Sequence, residues 1–373
     1  MKNDVNEMFH DNMSHGTDSS PMGVESMSST NPPPVTSMSI HKGWLNLLKQ
    51  TAQQYQLDSQ YYFDQLDTSR SQIDVREVRK IHHQMFQDSG DPLFSAHAAQ
   101  RVNPLTFGCF SLTLWTAPTV LQLLKDASKY CVAIGSPIRL RFHETPQGDA
   151  ELWIINHEPL NKESHITYVG VTLYISTILQ IIHQTTEYSL PNVAVKVIKW
   201  PFPENEKLEF EKLMHCNIST GSPIRKICVQ RQHLFHPLAT SDPVLYPVTQ
   251  TLLRQHTIEL ENSDIVLKVY KTLDDMPTLA DLSGDKVAAN MLISIRTLNR
   301  RLSEVGTCYR GVLEKYKLEK ALQLLNQPSV NMTEIAFQLG FSDLSTFSRA
   351  FKRWTGTSPS HSSNRLNPVQ EIL

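Results

Sequence analysis

Apolar and polar positions along this 373-residue chain follow two rhythms, and the rhythm changes with position. From Gly43, the residues Trp44, Leu45, Leu47 and Leu48 begin an amphipathic helix. Thr119 is placed to cap a clearer one, with Val120, Leu123, Leu124, Ala127 and Cys131 on one face. The period then shortens to two. Ile138, Leu140 and Phe142 alternate with Arg139 and Arg141, the break Thr145-Pro146-Gln147-Gly148-Asp149 follows, and Leu152 to Ile155 returns, which predicts a hairpin. This alternation places Arg139, Arg141, His143 and Trp153 mostly at the surface. Val193, Val195 and Val197, and then Ile224 to Val229, read as further strands. Between them Tyr168 to Ile182 is apolar, broken by Thr172, Ser176, Thr177 and Gln180. That run is shorter than the ~20 residues of a membrane span, so it predicts a buried helix and no membrane partner. Residues 1–40, rich in Ser, Met, Asn and Pro, have neither period and are expected to be a disordered tail, as are 367–373. The result is an α+β region over 41–258. The polar stretch Glu259–Asp264 is expected to be a linker.

After Asp264 the strand pattern stops, and short helical segments predict an all-α region over 264–366. Asn331 and Glu334 make a capping-box-like start, Ile335, Ala336 and Leu339 form an apolar face, and Gly340 ends that helix. Ser342 or Asp343 then caps a helix in which Phe347, Ala350, Phe351 and Trp354 form one stripe. Its opposite side carries Ser345, Thr346, Ser348, Arg349 and Lys352. Helix, glycine turn and helix with a basic outer face is a helix-turn-helix pattern. An upstream copy has Val287, Ala288 and Met291 in its first helix, Ser294 as a cap, and Ile295, Leu298 and Leu302 facing inward. Arg296, Thr297, Asn299 and Arg300 face out. Arg matches guanine O6 and N7, and Asn matches adenine N6 and N7, so these residues suit direct base reading. Arg301 lies at the edge and suits phosphate. Tyr309 to Leu325, a linker helix of about 25 Å, separates the copies and could hold two recognition helices near the ~34 Å spacing of successive major grooves.

Charge sharpens this division. The chain carries 35 basic and 37 acidic residues, a net of -2. From Lys286 to Arg365, however, twelve basic residues face five acidic ones. Basic charge gathered at one end suits a polyanion, although a solvated helical surface would also produce it. The five cysteines are widely spaced without a CxxC pair, which points to reduced thiols, no metal site and a cytoplasmic chain with no signal peptide. There is no P-loop, GxGxxG or GxSxG; His233 and His236 could share one helix face but have no nearby carboxylate or Cys to complete a metal site, and the adjacent side chains of His215 and Cys216 diverge, so no enzyme and no cofactor are expected. A ligand-independent architectural DNA binder is a second alternative, but 41–258 is larger than bending DNA requires.

The span from Val287 to Pro359, above all EIAFQLGFSDLSTFSRAFKRWTGTSP, resembles the DNA-binding domain of the AraC/XylS family of bacterial transcription regulators. That resemblance implies double-stranded promoter DNA as the partner, with Arg296, Thr297, Asn299, Arg300 and Arg301 in the first motif and Ser345, Thr346, Arg349 and Lys352 in the second. It also implies RNA polymerase as a partner and leaves a homodimer open. Four departures stand out: the chain before Val287 carries an apparent insertion from Leu282 to Asp285, Leu292 replaces the glycine usual in the first turn, Lys317 replaces an arginine of the linker helix, and Ser362 and Ser363 follow Pro359 where an aromatic and an arginine are usual. From Gly43 to Leu253 the order of elements resembles the arabinose-binding-like domain of regulators related to those of ornithine utilisation, which implies a small-molecule effector at an unidentified pocket.

Overall fold

The computed structural model describes residues 39–64, 66, 70–156, 168–191, 193–222, 224–277, 279, 282–325, 331–356 and 358–360. Strand β1 (Ser39–His41) pairs antiparallel with β2 (Gln72–Asp74). Ser39 and Ile40, expected in the tail, are therefore strand residues; the rest of that tail and 367–373 lie outside the described residues. Helices α1 (Gly43–Gln54), α2 (Ser59–Phe63), α3 (Val75–Ser89), α4 (Phe94–Ala99), α5 (Cys109–Thr116) and α6 (Val120–Tyr130) follow. Thr119 caps α6, accepting the Gln122 N–H.

The hairpin forms as its alternation predicts, from β3 (Ile138–Glu144) and β4 (Ala150–Asn156), with Arg141 opposite Trp153. Then come α7 (Tyr168–Thr185), β5 (Val193–Lys196), α8 (Asn205–Met214), β6 (Cys216–Ser219), β7 (Arg225–Val229) and the short α9 (Arg231–Leu234). The sheet runs β3-β4-β7-β5-β6, antiparallel except for the β5–β6 pair. Leu140, Leu152, Ile154, Val195 and Ile227 on one side of this sheet share a core with Leu124 of α6 and Ile178 of α7. Nearly every described residue of α7 is buried, including Thr172, Ser176, Thr177 and Gln180, which interrupt its apolar run.

The other side of the sheet is not free. Trp153, Ile155 and Ile224 form a single core with residues from the C-terminal helices. Trp153 is fully buried, so the expectation that the outer hairpin residues lie at the surface is wrong. From Leu152 to Ile155 β4 is apolar on both sides because both sides are covered.

α10 (Leu245–Ser263) packs Leu253 and Leu260 into the N-terminal core. Glu259–Ser263 form its last turns, which corrects the expected linker. Asp264 closes α10 and opens α11 (Ile265–Asp275): its N–H donates to Leu260 O, and its carboxylate accepts from Val266 and Leu267 N–H. Polar composition there reflects a one-residue corner rather than a loose connection. Beyond it the chain is helical: α12 (Gly284–Asn290), α13 (Ile295–Glu304), α14 (Tyr309–Leu325), α15 (Met332–Gln338) and α16 (Leu344–Thr355).

Candidate nucleic-acid interface

The first motif is α12, a tight turn and α13. Ser283 caps α12 and Ser294 caps α13, accepting the N–H groups of Lys286 and Thr297. Val287 and Ala288 from α12 and Leu298 and Leu302 from α13 meet Ile265, Val269 and Tyr270 of α11 and Val312 and Tyr316 of α14. Burying this stripe turns Arg296, Asn299, Arg300 and Arg301 outward, and all four are exposed. Thr297 differs: it is half-buried, and its hydroxyl lies 2.9 Å from that of Ser294, inside the cap. Arg300 meets Glu304 at 2.5 Å, an exposed i,i+4 pair of the kind that contributes about 0–1 kcal/mol and gives way cheaply to a better anion.

The turn holds the departure noted in the sequence. Leu292 has φ +56° and is 93% exposed. The turn keeps the left-handed geometry that Gly340 provides in the second motif at φ +71°.

That second motif joins α15, capped by Asn331, to α16, capped by Asp343. Of the two candidate caps, Asp343 takes the role, with Ser342 donating to its carboxylate. Hydrogen bonds from the Thr346 N–H, the Thr346 hydroxyl and the Ser342 hydroxyl hold the Asp343 carboxyl below its ordinary range. Thr346 also accepts from Arg349 Nη2 at 3.3 Å, so cap and basic side chain are linked. Ser345, Arg349 and Lys352 are exposed. Phe347, Ala350, Phe351 and Trp354 are buried against Ile335 and Ala336 of α15 and Leu339 at its end.

α14 supports both motifs. Val312 and Tyr316 enter the first core; Ala321, Leu322 and Leu325 enter the second. Tyr316 and Lys320 each reach Asp274 of α11 at 2.9 Å, and Arg353 of α16 pairs with Glu314 at 3.1 Å. Lys317, standing where an arginine is usual, sits 4.8 Å over the Phe341 ring.

A family description matches residues 50–238, the "Arabinose-binding domain of AraC transcription regulator, N-term", and a second, "Helix-turn-helix domain", matches 287–365. The first alone spans half of the chain. The chain belongs to the AraC family of transcription regulators. Its relatives include the ornithine utilization regulator of Pseudomonas aeruginosa, 24% identical over 79% of this chain and 85% of that protein. The HTH-type transcriptional activator RhaS of Escherichia coli is 27% identical over 42% of this chain and 59% of its own. The crystal structure of the regulator CdpR from Pseudomonas aeruginosa matches 86% of this chain and 98% of that one, with 17% identity and a TM-score of 0.46. These families and relatives are regulators of transcription rather than enzymes.

In this AraC-family regulator the two matched regions leave α10 and α11 between them, and this is where the halves are joined. Arg141 of β3 forms an ion pair with Glu319 of α14, and Arg139 stacks 4.9 Å over Tyr270 of α11. His143 lies 3.8 Å from the Trp153 ring; Trp153 Nε1 donates to Glu151, whose other oxygen meets Lys226 Nζ at 2.6 Å. Sequence reasoning missed this contact surface. The available signal was the unbroken apolar run Leu152-Trp153-Ile154-Ile155, the mark of a strand covered on both sides. Among the described residues, no three of His, Cys, Asp and Glu come together to hold a metal ion, and no helix is long and apolar enough to cross a membrane.

Proposed function

We propose that this regulator binds promoter DNA sequence-specifically by placing α13 and α16 in successive major grooves, and that a small molecule held by its N-terminal region changes that affinity. The observation that carries the reading is the shared helix α14: two capped helices with basic outer faces are built on its two ends, and its seventeen residues span about 25 Å. Arg296, Asn299 and Arg300 read bases, with Thr297 supporting them from the cap. Arg301, Ser345, Thr346, Arg349 and Lys352 contact the backbone more than the bases. Its setting is the cytoplasm, where promoter DNA and RNA polymerase are its partners.

Titrating operator variants against full-length protein tests the assignment. Arg300→Ala should cost about 1–3 kcal/mol and relax preference at one base position, whereas Lys352→Ala should weaken all sequences alike and reduce the salt slope by about one. Uniform weakening by Arg300→Ala would make it a phosphate contact and overturn its role.

A second copy of the chain is also proposed as a partner. Leu245, Val248 and Leu252 lie at i, i+3 and i+7 of α10 and are exposed, an apolar stripe on a long helix. Sedimentation should show a dimer that Val248→Glu dissociates; a monomer at micromolar concentration removes this reading.

A further inference from the structure

A cavity of about 210 Å³ lies between the two halves of the molecule. β3 and the turn after α6 supply Cys131, Gly135 and Arg139; the α10–α11 corner supplies Glu261 and Leu267. Its volume is about that of seven waters, enough for a small metabolite. Its polar groups are unevenly matched. Arg141 is neutralised by Glu319. The Ser128 hydroxyl is already committed, donating to Leu140 O and accepting the Phe142 N–H. Arg139 has no ion pair among the described residues, and its Nη1 is buried without a hydrogen-bond partner. A buried N–H without an acceptor is costly, and a guanidinium stacked on a ring keeps its edge donors for a planar anion. Lys129 adds a second positive charge at the rim, against the single carboxylate of Glu261.

We propose that this cavity is the effector site and that it takes a small oxyanion, carboxylate or phosphate, on Arg139. The proposal rests on the effector control argued above and gives it a place and a chemistry. Tyr270, under the Arg139 guanidinium, belongs to the core that carries α13. A ligand that neutralises Arg139 between β3 and α11 therefore interacts differently with each placement of the first recognition motif on the sheet, which is what effector control requires.

The test is thermal unfolding of the full-length protein without DNA in acetate, succinate or phosphate, against chloride at matched ionic strength. At least one oxyanion should raise the midpoint saturably. Arg139→Gln should raise its apparent Kd about tenfold or more, with Arg139→Lys, which keeps charge and loses the fork, in between. Lys125→Gln, an exposed cation elsewhere, should behave as wild type. Succinate outperforming phosphate identifies a carboxylate ligand, and the reverse a phosphate. No oxyanion doing better than chloride, or a shift that survives in Arg139→Gln, overturns the site. Operator binding then separates the two ideas: an anion that binds through Arg139 but leaves DNA affinity unchanged ends effector control by this site. A metabolite that alters DNA affinity equally in Arg139→Gln keeps effector control and ends this site.

Discussion

Leu292 shows how much one residue can hold against its own preference. A leucine in the left-handed region costs about 1–2 kcal/mol, because its Cβ crowds the backbone. At 93% exposure it recovers almost nothing by burial. Glycine at the same place removes the strain but adds about 0.5–1 kcal/mol of unfolded-chain entropy. Leu292→Gly should therefore raise the stability of the protein by about 0.5–1 kcal/mol in urea unfolding. A loss of about 1 kcal/mol, as for a leucine in ordinary conformation, would contradict the argument. The mirror substitution, Gly340→Ala at φ +71°, should destabilise by about 1 kcal/mol or more. The side chains proposed to read bases owe their exposure to the opposite principle: Arg296 and Arg300 point outward because Leu298 and Leu302 are buried, so hydrophobic spacing fixes which way they face.

At the scale of elements, α14 is a shared rail and the β3–β4 hairpin is what grips it. Glu319 is nearly fully buried and depends on Arg141, whose side chain keeps a quarter of its exposure. Removing one member of such a pair leaves a charge without its partner, at a cost of about 3 kcal/mol here, the low end for buried pairs because Arg141 can reach solvent. Glu319→Ala should therefore loosen the hairpin from α14, read as faster hydrogen exchange of the α14 amides. The double variant Arg141→Met with Glu319→Leu should recover most of the loss, since burying two apolar chains avoids the desolvation that the ion pair had to offset. Additive losses in the double variant would show that the two residues act independently.

For the whole molecule, buried histidines set the acid limit. Burial pushes His41, His143 and His183 down to about 4 and His82 to about 3. Each is neutral when folded and takes a proton near 6.5 when unfolded. The unfolded state therefore binds more protons between these values, and stability is full above pH 6.5 and drains as pH falls towards 4. Urea unfolding at about pH 7 and about pH 5 should show the loss. His143→Gln should reduce it, because it removes one of the four sites that take up a proton on unfolding; this one lies against Trp153. Unchanged stability across that range would mean these side chains titrate normally.

Much of this molecule was legible in its sequence, for local reasons. Period-two alternation determined the hairpin, the 3.6 period determined α13 and α16, and Ser294, Asn331 and Thr119 cap the helices they precede. The exposure of Arg296, Asn299, Arg300, Arg349 and Lys352 followed from the apolar stripe behind each. These properties depend on neighbours within a few positions. What only the tertiary structure decided is what covers the far side of the sheet. Alternation shows that Arg139, Arg141 and Trp153 share a side opposite the first core, but it carries no information about a partner more than a hundred residues away. Glu319, Tyr270 and Leu322 reach that side only because Asp264 joins α10 to α11 in a one-residue corner. Burial is a property of two surfaces, and a sequence pattern describes one of them at a time.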